Sequence, residues 1–216
     1  MKKSFLVIGI GRFGEHLSVR LAELGNDVMI VDENEEIINR LVGKVTCAQV
    51  GDCKNEAVLR SLSVNGFDTC FVCIGSDFQS SLEITSLLKE MGAKHVVSKA
   101  GTRIQEKFLL RNGADEVVYP EKDLARKLAV QYSGHNIFDY YQLAGDLAVF
   151  EIAVPRSWIG KSVLDIDVRK KHQVNVLAVK RDAAVQLVGP DVIFAQDDHL
   201  LILGSGDRVD KLTRGT

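Results

Sequence analysis

The stretch Phe5-Leu6-Val7-Ile8-Gly9-Ile10-Gly11-Arg12-Phe13-Gly14 decides the fold of this chain. An apolar run leads into a Gly-x-Gly-x-x-Gly spacing, and a helical pattern follows it. This order predicts a buried strand that turns tightly into the N-terminus of a helix. In such a turn Gly9 permits the bend, Gly11 lets a pyrophosphate approach the backbone, and Gly14 lets the helix pack close to the strand. We therefore predict a phosphate site at the positive end of this helix.

A carboxylate follows at the distance expected for a nucleotide fold. The apolar run Val28–Val31 ends in Asp32, about 20 residues beyond the glycines, where an acid that binds ribose hydroxyls is expected. The alternative is that the glycines serve only a tight turn and that Asp32 only caps the next helix. Strand, glycines, helix and acid occur in the expected order, which favours nucleotide binding.

Predicted strands and helices then alternate along the chain. We predict strands at 5–8, 28–32, 45–50, 67–74, 95–98 and 116–119, and helices at 13–24, 35–42, 55–61, 79–91 and 103–112. This alternation predicts an α/β fold with a doubly wound, parallel six-stranded sheet of Rossmann type.

The pattern changes after the sixth strand. A further helix is predicted at 120–132, but no parallel strand follows it. A break at Ser133–Asn136 then precedes a short apolar segment. We predict a helix-turn-helix crossover that packs on a partner subunit, followed by a small α+β lobe with one helix at 162–171. The predicted domains are a nucleotide-binding lobe (1–132), a crossover helix and linker (133–145) and a C-terminal lobe (146–216).

Composition excludes several classes of function. The 216 residues carry a net charge of −2, so nothing in the overall balance indicates binding to nucleic acid, and no Lys/Arg run is long enough to indicate a lipid surface. A local basic patch stays an open alternative. No apolar stretch is long enough for a membrane helix, and Met1–Ser4 enters the first strand without a signal peptide, which predicts a cytoplasmic protein. The five histidines have no metal or triad spacing, and a P-loop lysine motif is absent. The chain therefore has the sequence of a sensor rather than of an enzyme.

Two further turns should border the nucleotide. Asp52-Cys53 follows the third predicted strand, and Ile74-Gly75 follows the fourth. Ligands of parallel sheets bind beyond the carboxyl ends of the strands, so these turns should flank base and ribose, although Asp52 could simply cap a helix. Arg12 lies inside the phosphate turn, where a guanidinium favours the extra charge of ATP or ADP over a dinucleotide; a solvated Arg12 is the alternative.

Three sets of residues together resemble the RCK family, the regulators of potassium conductance. They are the glycine loop at 7–14, Gly113–Asp115 with Pro120–Asp123, and Leu164–Arg169 with Val176–Lys180. Within this family the chain is similar to the cytosolic subunits of bacterial Ktr potassium transporters, over essentially its whole length. The resemblance implies a homodimer that assembles into a higher ring, an octamer, and that gates a membrane potassium-translocating subunit of the KtrB or TrkH type from the inner face of the membrane.

The resemblance also implies ligands and their residues. ATP or ADP would bind through Gly9, Ile10, Gly11, Arg12, Phe13, Gly14, Asp32, Glu33, Asp52, Cys53, Ile74, Gly75 and Lys99. Glu121 would hold a divalent or sodium cation near a dimer interface. Arg169, Asn175 and Pro190 fall where cyclic di-AMP binds in similar subunits, although His172-Gln173-Val174 departs from the expected turn. The alternatives are an NAD(H)-binding regulator of the Trk type and a small NAD-dependent oxidoreductase.

Overall fold

The computed structural model describes residues 2–134, 136–182 and 184–214. Their contacts divide them into two compact units, which separate between Glu121 and Lys122. We predict the end of the nucleotide-binding lobe at residue 132, so the contact boundary falls earlier, in the first turn of a helix.

The first unit is a parallel sheet with helices between successive strands. Its strands are β1 (Ser4–Ile8), β2 (Asp27–Asp32), β3 (Cys47–Val50), β4 (Thr69–Val72), β5 (Val96–Lys99) and β6 (Glu116–Val118). The helices are α1 (Arg12–Glu23), α2 (Glu35–Leu41), α3 (Glu56–Ser61), α4 (Phe78–Glu90) and α5 (Arg103–Arg111), and α6 (Pro120–Ser133) begins at the end of this unit. The strand order β3-β2-β1-β4-β5-β6 confirms the predicted Rossmann-type sheet.

The sheet is buried on both faces, which explains why its strands are continuous apolar runs. In β1 the side chains of Leu6 and Ile8 pack into one apolar cluster, and those of Phe5 and Val7 into the cluster on the other face. Cys70 and Cys73 likewise belong to opposite clusters. The two thiols therefore lie on opposite faces of the sheet.

The second unit is a five-stranded antiparallel sheet with short helices. Its strands are β7 (Ile137–Ala144), β8 (Leu147–Ala153), β9 (Asn175–Arg181), β10 (Ala184–Leu187) and β11 (His199–Ser205), in the order β10-β9-β11-β8-β7. The helices are α7 (Val163–Ile166), α8 (Val168–His172) and α9 (Gly206–Thr213). Its core is built around the buried side chains of Phe150, Trp158 and Phe194. The predicted α+β lobe is therefore confirmed.

Of the predicted helix-turn-helix, the first helix (120–132) is present as α6, but the second helix is wrong. Residues 137–144 form the edge strand β7, which pairs with β8 through a turn at Gly145, where φ is +57°. Tyr140 is buried against Phe150, so this segment gains both ladder hydrogen bonds and core packing as a strand. His135 lies outside the described residues.

The helix predicted at 162–171 is also corrected. Asp167 has φ of +54° and divides the segment into α7 and α8. A left-handed residue cannot continue an α-helix, so the chain changes direction there.

No helix within the described ranges is both long and apolar enough to cross a lipid bilayer.

Candidate nucleotide-binding site

A pocket of about 350 Å³ lies beyond the carboxyl ends of β1, β2, β3 and β4. This is the edge where the strand order reverses and where parallel sheets bind their ligands. The volume falls within the usual range for small-molecule sites, roughly 300–1,000 Å³. Eight predicted residues line it: Gly9, Gly11, Asp32, Glu33, Asp52, Cys53, Ile74 and Gly75.

The three glycines of the loop have distinct geometry. Gly9 has φ of +84°, which disfavours any residue with a Cβ. A Cβ at Gly14 would overlap the carbonyl oxygen of Gly9 and approach Cys73 Cβ to 3.2 Å. By contrast, a Cβ at Gly11 would meet no protein atom within 4 Å. Gly9 and Gly14 are therefore needed for the turn itself, whereas Gly11 keeps open a space that no described part of the chain fills.

Helix α1 begins at this loop without a side-chain cap. Its N-cap residue is Gly11, which offers no acceptor to the N–H groups of the first turn. The next four helices, α2 to α5, are each capped by their own side chain: Asn34, Asn55, Asp77 and Thr102. Free N–H groups and the positive end of the helix dipole form an anion site. Within the described part of the chain, the N-terminus of α1 thus has no side-chain cap at the point where it borders the pocket.

Asp32 holds the loop in place from the end of β2. Its Oδ2 accepts a hydrogen bond of 2.6 Å from the backbone N–H of Ile10, and its Oδ1 accepts one of 2.9 Å from that of Asn34. The carboxylate therefore fixes the glycine loop and starts the turn into α2. It also lines the pocket, where it can accept hydrogen bonds from hydroxyl groups.

The far wall of the pocket combines a carboxylate with a neutral thiol. Asp52 Oδ1 accepts a hydrogen bond of 2.9 Å from the N–H of Lys54. Burial raises the pKa of the Cys53 thiol to about 12, and the charges of Asp52 and Asp32 add to this increase. Cys53 is therefore a buried, protonated thiol that can pack against a ring but does not act as a nucleophile.

The remaining predicted residues lie beside the pocket rather than on its wall. Ile10 is buried in the core, Gly14 packs on β1, and Arg12 and Phe13 form the first turn of α1. Arg12 is exposed, and its guanidinium makes no ion pair or hydrogen bond with any described residue. It is therefore available to an external anion.

Lys99, at the end of β5, forms a partly buried ion pair with Glu121. Its side chain is 14% exposed, and its Nζ lies 2.7 Å from Glu121 Oε1. The same Nζ is 5.9 Å from the centre of the Phe13 ring, and a Cβ at Gly75 would come within 3.3 Å of it. The hydrogen bond from Lys99 holds the pKa of Glu121 below its ordinary value. A positive charge thus stands next to both the glycine loop and the β4 turn.

Sequence reasoning missed part of the wall. Asn34, Lys54, Asp77 and Ser80 also line the pocket. Asp77 caps α4 by accepting hydrogen bonds from Ser80, which lower the pKa of the Asp77 carboxyl. The available signal was the cluster of polar residues that follows each of the second, third and fourth strands.

Comparison with known proteins identifies the family. Residues 5–120 match the TrkA-N domain family, and residues 147–214 match the TrkA-C domain family. Ktr system potassium uptake protein C of Bacillus subtilis is 37% identical over 95% of this chain and 93% of its own length. The chain belongs to the Ktr potassium uptake protein family. Ktr system potassium uptake protein A of the same organism is 34% identical over 94% of this chain and 91% of its own length.

This membership confirms the resemblance to RCK proteins and, at the level of the family, the predicted role in regulating potassium uptake. Among solved structures, the GsuK channel has a TM-score of 0.70 at 14% identity and covers 99% of this chain and 40% of its own. Two further GsuK structures have the same fold. The GsuK channel bound to NAD has a TM-score of 0.64 at 15% identity and covers 96% of this chain and 38% of its own. GsuK bound to ADP has a TM-score of 0.53 at 15% identity and covers 63% of this chain and 36% of its own.

The predicted C-lobe residues of this Ktr-family chain are all exposed. Arg169 is on α8, Asn175 begins β9, and Pro190 follows β10. The carbonyl of Pro190 accepts a hydrogen bond of 3.3 Å from the N–H of Leu164, which ties this segment to α7. Their role in binding cyclic di-AMP stays a prediction.

Proposed function

We propose that this chain is the cytosolic regulatory subunit of a potassium uptake transporter and that it responds to ATP and ADP bound in the pocket of the first unit. Family membership supports the role in potassium uptake. One observation above all supports nucleotide binding: the N-terminus of α1 has no side-chain cap, and the space at Gly11 is open. The related fold of GsuK, in structures bound to NAD and to ADP, supports the same pocket.

Two side chains favour a nucleotide with a charged terminal phosphate. Arg12 has no partner among the described residues and stands on the first turn of α1, where it can reach beyond the phosphates that the backbone binds. Lys99 carries a second positive charge beside Gly75. A dinucleotide satisfies its pyrophosphate with backbone N–H groups and gains less from these cations. NAD(H) is the second candidate, because a GsuK structure contains NAD.

The Lys99–Glu121 ion pair provides a route from the nucleotide to α6. A terminal phosphate near Phe13 and Gly75 competes with the Glu121 carboxylate for Lys99 Nζ. Glu121 is in the first turn of α6, so this competition acts on the start of that helix. ATP and ADP can shift the conformation only if they bind the alternative states with different affinity.

The residues of one chain do not fit a complete cation site at Glu121. Among the described residues no group of three His, Cys, Asp or Glu side chains could hold a metal ion, and Glu121 already pairs with Lys99. A cation at Glu121 would need ligands from the nucleotide or from a second copy of the chain.

The assembly completes the proposal. We propose a homodimer that builds an octameric ring on the cytoplasmic side of a KtrB- or TrkH-like membrane subunit, with cyclic di-AMP bound near Arg169, Asn175 and Pro190. The names of the relatives, which are potassium uptake proteins, support the membrane partner. Light scattering of the purified protein, alone and with its membrane subunit, measures the ring size.

Arg12→Ala tests how the two nucleotides are distinguished. We expect the ratio of ADP to ATP dissociation constants to fall by about tenfold, because one charge-assisted contact contributes roughly 1.5 kcal/mol. Isothermal titration of nucleotide-stripped protein with ATP, ADP and NADH gives this ratio. Arg20→Ala is the matched control, since Arg20 is on the same helix and pairs with Glu23. Equal losses for ATP and ADP would contradict the role of Arg12, and tighter binding of NADH would favour the Trk-type regulator.

A further inference from the structure

A cleft in the second unit is lined mainly by basic side chains. Its volume is about 230 Å³, and it lies between α8, α9 and the turn before α7. Four of its eight lining residues are basic: Lys171 and His172 from α8, and Arg208 and Lys211 from α9. The other four are Pro155, Ser157, Trp158 and Leu212, so the lining contains no carboxylate. We call these residues the basic cleft.

The cations of the basic cleft have no acidic partner in the described chain. Lys171, Arg208 and Lys211 form no ion pair or side-chain hydrogen bond with any described residue. Elsewhere in the same unit several basic side chains are paired, as in Lys180–Glu151, Arg181–Asp198, Lys170–Asp167 and Arg214–Asp210. The acid nearest in sequence to Lys211 is therefore already engaged by Arg214.

Helix electrostatics account for only part of this arrangement. Basic residues at the end of α8 are favourable because the helix dipole is negative there. Arg208, however, lies in the first turn of α9, where the dipole favours acids, and it is three residues from Lys211, a spacing at which like charges repel. Lys211 lies in the last turn of α9, where the dipole favours cations, so the dipole accounts for Lys211 and for the α8 residues but not for Arg208.

We propose that the basic cleft binds a phosphate group of an anionic ligand. The Arg208 guanidinium can donate two parallel hydrogen bonds to phosphate oxygens, and the two lysines supply point charges. The floor is the buried ring of Trp158, 5.2 Å from the His172 ring. The phosphate belongs either to a free small molecule or to a phospholipid headgroup. Arg169, Asn175 and Pro190 do not line this cleft, so it is distinct from the predicted cyclic di-AMP position.

The test uses the fluorescence of Trp158, the only tryptophan of the chain. Full-length protein is titrated with inorganic pyrophosphate at constant ionic strength, with sodium chloride as the reference. We expect a saturable change in emission and at least a tenfold increase in dissociation constant for the double variant Arg208→Ala/Lys211→Ala. Lys170→Ala, on α8 but outside the cleft, should behave as the wild type. All three substituted positions are exposed, and thermal unfolding verifies that each variant is folded.

A second arm separates the two sources of phosphate. Co-sedimentation with phosphatidylglycerol vesicles, compared with phosphatidylcholine vesicles, tests for a headgroup. Binding to anionic vesicles that the double variant loses supports a headgroup, and a variant-sensitive response to pyrophosphate without vesicle binding supports a free anion. If neither probe binds, or if the double variant responds to both as the wild type does, the proposal is overturned.

Discussion

Gly11→Ala should abolish most nucleotide binding while it leaves the fold intact. The added Cβ would meet no protein atom within 4 Å, and Gly11 has φ of −69° and ψ of −174°, which alanine adopts without strain. The methyl group enters the space through which we propose that a phosphate approaches the N-terminus of α1. The substitution should therefore change nucleotide affinity while it leaves the stability of the fold nearly unchanged.

The expected changes in the stability of the fold and in nucleotide affinity can be estimated for Gly11→Ala. Alanine lowers the entropy of the unfolded chain, which stabilises the fold by about 0.4–1 kcal/mol, but it is a poorer N-cap than glycine by a similar amount. The net change should stay within about 0.5 kcal/mol, or roughly 1–2 °C in Tm for a chain of this size. Loss of one or two hydrogen bonds to a charged phosphate costs about 1.5–3 kcal/mol, which weakens binding roughly 10- to 100-fold.

Thermal unfolding without ligand and isothermal titration with ATP, ADP and NADH measure both quantities. Gly66→Ala is the matched control: it also meets no atom within 4 Å, but it precedes β4 at the opposite edge of the sheet. Gly14→Ala, whose Cβ would overlap the Gly9 carbonyl, should instead lose about 1–3 kcal/mol of stability. Wild-type nucleotide affinity in folded Gly11→Ala would refute the phosphate site.

Two further predictions concern ion pairs. Lys99→Gln removes the charge beside Gly75 and should weaken ATP binding about 3- to 10-fold in isothermal titration, because roughly 1 kcal/mol of attraction to the phosphate is lost. Lys94→Gln, at the opposite edge of the sheet, is the control and should leave ATP affinity unchanged. Equal ATP affinities of Lys99→Gln and the wild type would contradict a role for Lys99. Asp198 is buried and accepts hydrogen bonds of 2.6 and 2.7 Å from the Arg181 guanidinium, which lower the pKa of Asp198. The ionised carboxylate therefore stabilises the fold at pH values above its unfolded-state pKa of about 3.9. This stabilisation is lost as the pH falls through the lower pKa of the folded state. Asp198→Asn should cost about 2 kcal/mol at pH 7 in denaturant unfolding, and its difference from wild type should shrink in acid. Exposed Asp197→Asn is the control, and a difference that does not shrink as the pH falls below about 3.9 would disprove this origin.

The parallel sheet and its phosphate loop could be predicted because their signals are local. Gly9, Gly11 and Gly14 each satisfy a steric need of one turn, and the apolar runs of β1 and β2 show burial on both faces. Asp32 was found for the same reason, since it ends a strand at a fixed distance from the loop. Pocket residues such as Asp77 were missed because their side chains also cap helices, and the sequence does not show that the cap faces a cavity.

The errors arose where distant pairing determines the structure. Residues 137–144 have no strong alternation, and they form a strand because β8 offers them a ladder and a place for Tyr140 in the core. The basic cleft joins α8 to α9, whose facing residues are far apart in the chain, so no local pattern reveals it. Asp167 in the left-handed conformation is a further example, since its break depends on how α7 and α8 pack.

The two hydrogen bonds that Asp32 already accepts determine how many more it can take. A carboxylate has about four acceptor positions, and the N–H groups of Ile10 and Asn34 occupy one on each oxygen. Two positions remain, which equals the number of hydroxyls in the 2′,3′-diol of a ribose. In the proposed site Asp32 therefore has as many open acceptor positions as a ribose diol has donors, and a 2′-deoxynucleotide would leave one of them without a donor.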